Sequence, residues 1–192
     1  GSSGSSTIVP TEYAVRGYVE SITEALREPT GFETRTTTTI GVDTTGSPKV
    51  FIEPTGDSFS FWLKGKEYVY DERKEVAIPD VEGQHFVYFN ESGVLTISNI
   101  WSADIITKYA YVAVLYWDAD NNEVIYFGDE RHSTAMDGDT HFSIHSSRGT
   151  LYYSGLALGD FVVGGSGTLN TEAQFSITSG IMYDEDLKIS LP

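Results

Sequence analysis

The residues best suited to chemistry crowd into one stretch, Val124 to His145, VIYFGDERHSTAMDGDTHFSIH. It holds three of the chain's four histidines together with Asp129, Glu130, Asp137 and Asp139, and Glu123 stands just before it. Imidazoles and carboxylates this close in sequence could ligate a metal, exchange protons, or simply brace two strands with hydrogen bonds. Spacing has to choose among these. Read as a strand, THFSIH puts His141, Ser143 and His145 on one face and Phe142 and Ile144 on the other. Histidines at i and i+4 of a strand lie about 13 Å apart, too far to share one ion. A site would then need His132, Asp129 or Glu130 to cross from the preceding strand, or the same residues to meet around a three-fold axis. The expectation is no metal and no cofactor, with histidines bonded to neighbouring carboxylates at a sheet face or a contact between chains.

Asp129, Glu130, Arg131 and His132 form a polar constellation of their own. Arg131 stands beside two carboxylates that would neutralise it, as an ion pair fixing the following loop. The same groups, with Trp101 or Trp117 as an aromatic platform, could instead grip a sugar, and these six residues are the candidate binding set. No catalytic set emerges, because no spacing selects two of the many carboxylates as the pair a glycosidase needs. Asp118, Asp120 and Asn122 (DADNN) imitate the start of a calcium loop, yet Glu123 and Asp129 occupy the sixth and twelfth places where glycine and glutamate belong. Ser154 and the Gly164 to Gly167 run lack the frames of a nucleophile elbow or a phosphate loop. The chain reads as no enzyme.

The elements that must carry these residues are mostly strands. Beyond Val42 come VFIEPTGD, FSFWLKGKEYVY, EVAIPD, HFVYFNESGVLTI, YAYVAVLYWDADNNEVIYFGDE, THFSIH, GTLYYSGLAL, DFVVGGSGTLN, AQFSITSGIMYDE and LKISL, short runs bounded by Gly, Pro, Asn or Asp. Turns are marked at Asn90 to Gly93 and at Asp118 to Asn122. Many short strands without an intervening helical pattern predict a mainly β fold, an antiparallel β-sandwich or jelly-roll, over residues 51–192. Thr34 to Val42 is rich in β-branched residues, and 31–50 is expected to be an extended connector.

The N-terminal part differs. Residues 1–6, GSSGSS, read as an artificial flexible linker, so the native protein is expected to begin upstream of Thr7. Over 7–30 the pattern predicts one helix, with Pro10 and Thr11 at its start and Pro29 and Gly31 at its end. Ile8, Val15 and Ile22 recur every seven residues, and Tyr18, Val19 and Leu26 widen the stripe, which suits a short coiled coil, here expected to be trimeric.

Composition narrows the partners. With 28 acidic against 12 basic residues, a formal charge of -16 repels nucleic acid and anionic membrane surfaces. The absence of cysteine excludes disulfides and thiolate zinc sites. No apolar run approaches the roughly 20 residues of a membrane-spanning helix.

Two sets of residues carry a resemblance. VPTEYAVRGYVE, with Pro10, Thr11, Glu12, Ala14, Val15, Tyr18 and Val19, is similar to a signature of bacteriophage tail-fibre and head-fibre proteins, "PTEKAV" followed by "YVD"; Tyr13 replaces the usual lysine and Glu20 the usual aspartate. Phe61 to Tyr68, Gly83 to Asn90 and Phe127 to His132 look like runs from a β domain of phage virion proteins. The resemblance implies a structural virion protein that forms a homotrimer with other virion proteins as neighbours. A module adsorbing to host-surface carbohydrate is the alternative, and a polysaccharide-cleaving enzyme comes third.

Overall fold

The computed structural model describes residues 29–163 and 173–192. The helix expected over 7–30, with its stripe from Ile8 to Leu26, and the Gly164 to Gly167 run lie outside the described residues, apart from residues 29 and 30. The described part is mainly β, and every ladder between its strands is antiparallel.

The first sheet pairs β1 (Thr38–Asp43) with β2 (Lys49–Pro54) and β2 with β5 (Lys74–Ala77). A hairpin of β3 (Phe59–Leu63) and β4 (Lys66–Tyr70) stands beside it. The largest sheet has the order β7-β6-β8-β9, from β6 (Gly83–Phe89), β7 (Leu95–Ser98), β8 (Ala110–Asp118) and β9 (Glu123–Asp129). Its two turns are those marked in the sequence. At the first, Asn90 Oδ1 accepts from the amides of Ser92 and Val94; at the second, Asp118 Oδ1 accepts from the amide of Asn121.

Alternation within these strands builds a sandwich-like core. Val50 and Ile52 of β2, Phe59, Phe61 and Leu63 of β3, and Val87 and Phe89 of β6 meet Ala110, Val112, Ala113, Leu115 and Trp117 of β8. Phe61 and Phe89 stack with centroids 4.0 Å apart. The register of β8 slips by one residue between its pairings with Val87 and Tyr88, which is how the neighbours Val112 and Ala113 both reach this core. Tyr111 and Val114 point the other way, into a smaller cluster with Phe86, Ile105 and Ile106. β8 is therefore covered on both faces.

The second face is closed by two helices, α1 (Asp104–Thr107) and α2 (Gly138–Ser147), the latter docking through Phe142. Helix α2 corrects the expectation of a strand at THFSIH. Asp137 caps it by accepting from the amides of Asp139 and Thr140, and Gly149, at φ 57°, ends it just beyond the last turn. Gly138 lets it approach α1, since a Cβ there would sit 2.5 Å from the Thr107 carbonyl oxygen.

The expected connector at 31–50 is also corrected, because it belongs to the β domain. Phe32 is buried in the main core, its amide donates to the His132 carbonyl, and β1 is paired along its length with β2. The remaining strands form a sheet ordered β10-β13-β14, from β10 (Thr150–Gly155), β13 (Gly180–Asp184) and β14 (Leu187–Leu191), and a separate hairpin of β11 (Leu158–Val163) and β12 (Ala173–Ile177).

Candidate metal centre

Helical geometry, absent from the strand reading, is what assembles the site. Residues at i and i+4 share a helix face, so His141 and His145 of α2 sit with ring centroids 6.2 Å apart rather than on distant parts of a strand. His132, in the segment after β9, brings its ring to 4.2 Å from that of His141. The fourth contributor was missed in the sequence. Asp184 pairs with Leu187 across a two-residue turn, and Glu185 at its tip, held at φ 47°, points its carboxylate at all three histidines.

The distances are uniform. His132 Nε2 lies 3.3 Å and His141 Nε2 3.4 Å from Glu185 Oε2, and His145 Nδ1 lies 3.2 Å from Glu185 Oε1. Glu130 Oε2 is 3.5 Å from His132 Nε2. The Glu185 side chain is 1% exposed and that of His132 4%. At these separations the facing atoms are close enough to attract as charges, but none meets a partner at hydrogen-bonding geometry among the described residues. Buried polar atoms are normally bonded, so such a group needs an explanation.

The outer contacts are conventional. His132 Nδ1 is 2.8 Å from Asp186 Oδ1, and Asp186 Oδ2 accepts from the Ser133 amide at 2.8 Å. That bond fixes the ring and leaves Nε2 turned inward. Burial alone would lower the pKa of His132, but the carboxylates of Asp186 and Glu130 outweigh it and raise the value to about 9. Burial would likewise raise Glu185, yet His141 and His145 pull it down to about 2. Glu130 goes the other way: burial raises it above the usual range despite the His132 contact. A narrow pocket of about 10 Å³ reaches His132, His141 and Glu130 between Tyr109, Tyr111 and Met136.

The six candidate binding residues do not form one platform. Trp117 is 1% exposed with its indole N–H donated to Asp80, so it offers no face to a ligand. Trp101 is 42% exposed and packs on Phe86, with His145 stacked beside it at 6.1 Å. Arg131 forks onto Asp129 through Nε at 2.8 Å and Nη2 at 2.7 Å, and its Nη1 donates to Thr38 and to the Arg35 carbonyl, an internal brace rather than a sugar clamp. Of the six, Glu130 and His132 enter the histidine cluster, and Trp101 touches it from outside through His145. DADNN is a hairpin tip.

Comparison of the chain with protein-family models, with curated proteins and with solved structures finds no match.

Proposed function

We propose that the chain is a structural module of a phage virion fibre or tail appendage, acting as a homotrimer that connects or presents a host-recognition module, with its N-terminal helix as a coiled coil and its strands as a β-sandwich. The observation that carries this reading is the apolar surface of the C-terminal strands. Leu151, Tyr152 and Tyr153 of β10 are each at least half exposed although alternate residues face opposite sides of a sheet. Leu158, Phe161 and Val162 of β11 and Phe175 of β12 are exposed to a similar degree. A large apolar surface on both sides of strands is uncommon on a monomer and normal at an interface. Copies of the same chain are the natural occupants, because the heptad stripe at Ile8, Val15 and Ile22 calls for the same symmetry, and the fibre-like VPTEYAVRGYVE signature points to trimers. Light scattering across a concentration series tests it: a particle of about three times the 21.1 kDa chain is expected, and a concentration-independent monomer defeats it.

Attachment to a host-surface glycan is the second reading, and Trp101 supports it as the one candidate ring left partly open. Glycan-array binding that is lost in Trp101→Ala while the oligomer persists would favour it.

A further inference from the structure

We propose that His132 Nε2, His141 Nε2 and Glu185 Oε2 bind one divalent first-row transition ion, zinc by donor type, which clamps the C-terminal β10-β13-β14 sheet to the rest of the domain. Three observations point to an ion rather than to direct bonds. The contacts of Glu185 Oε2 with the two imidazoles, 3.3 and 3.4 Å, are long for hydrogen bonds. They equal the edge of a tetrahedron whose ligands lie about 2.0–2.1 Å from its centre, about 3.4 Å. The three ligand atoms all lie within 4.8 Å of one another. All are also buried without a hydrogen-bond partner, a cost that an ion at the centre removes.

The surroundings fit the same assignment. Asp186 on His132 Nδ1 is the carboxylate that orients a ligating imidazole and strengthens it as a donor. His145 faces the other Glu185 oxygen and steers it. Two imidazoles and a carboxylate suit zinc and its first-row neighbours better than calcium or magnesium, which take oxygen donors. The narrow pocket at His132 and His141 leaves a fourth position that water can fill and a substrate cannot, which suits a structural ion.

The alternative is an ion-pair cluster held by protonated histidines, and the two differ in their response to metal. Chain without a histidine tag, stripped with chelator, is titrated with Zn²⁺ by calorimetry and with Co²⁺ by visible absorption. One ion per chain, tetrahedral Co²⁺ bands, and a melting temperature raised by about 8–16 °C at a thousandfold excess of free Zn²⁺ over its dissociation constant are expected. His141→Gln and Glu185→Gln should each abolish stoichiometric binding, and Asp186→Asn should weaken it about 10- to 100-fold. Stripped wild-type chain that takes up no Zn²⁺ at micromolar concentration, or whose melting ignores it, overturns the proposal, as does stoichiometric binding that survives both ligand substitutions. Should either variant fail to fold, the wild-type Co²⁺ spectrum and melting shift decide. Neither result depends on whether the chain is a trimer.

Discussion

Asp137 and Arg131 show how single side chains hold the histidine cluster in place from outside it. Asp137 satisfies two amides at the start of α2, the helix that carries His141 and His145. Its replacement by alanine should cost about 1 kcal/mol in chemical denaturation. The Thr140 amide and hydroxyl, with the Asp139 amide, hold its carboxyl below the usual range. A depressed folded-state pKa contributes stability above the unfolded value, about 3.9, and loses it as pH falls through the folded value. The Asp137→Ala penalty should therefore shrink in denaturation curves taken progressively below pH 4; a penalty unchanged at pH 2 would show that the carboxylate is not what matters. Arg131 is buried, and its guanidinium joins Asp129 on β9 to Thr38 on β1. Arg131→Met should cost about 1–3 kcal/mol, because the buried Thr38 carbonyl loses a donor and Asp129, partly exposed, keeps only the 3.5 Å contact with Arg35. Arg131→Lys should recover only part, since an ammonium cannot fork. Equal stability of the methionine variant in urea would rule the brace out.

At the scale of elements, the helix at Gly138–Ser147 decides whether a site exists. The alternation in THFSIH fits a strand, but it is equally a short stretch of helix, and the punctuation separates the two. Asp137 as cap, Asp139 in the first turn, His145 in the last and Gly149 just beyond are a helix's start and stop signals in the right order. Most of the β architecture was legible because alternating apolar residues and turn residues are local signals: FSFWLKGKEYVY, HFVYFNESGVLTI and YAYVAVLYWDADNNEVIYFGDE each became a hairpin. Glu185 was not legible, since its meeting with His132 joins residues about 50 positions apart, as the His132–Asp186 bond does across a separation of 54. One carboxylate in YDED looks like any other until the turn between β13 and β14 is placed. The helix expected at the N-terminus yields a matching prediction. Val15→Asp with Ile22→Asp should shift the light-scattering mass toward 21.1 kDa while the far-ultraviolet β signal is retained; loss of that signal would mean that the helix packs on its own domain.

For the whole molecule, the strands divide into a well-buried body, up to β9, and a C-terminal group that meets it through the histidine cluster and the bond from the Ser133 amide to Asp186. On the proposed trimer reading, the exposed rings of that group offer assembly a second surface beyond the expected N-terminal helix. If the chain assembles as proposed, Phe161→Ser with Tyr153→Ser should reduce its self-association at low micromolar concentration, read by sedimentation velocity, without lowering the melting of the body. Unchanged association would place those rings away from the interface.

The cover on both faces of β8 also sets a clock. Amides of this strand can exchange their hydrogens with solvent only when helices and sandwich part together, so those of Leu115 and Val114 should be the slowest in the chain, exchanging at the rate of global opening. Amides of β10, exposed along nearly its whole length, should label far earlier, and the interval between the two measures how independently the C-terminal strands breathe.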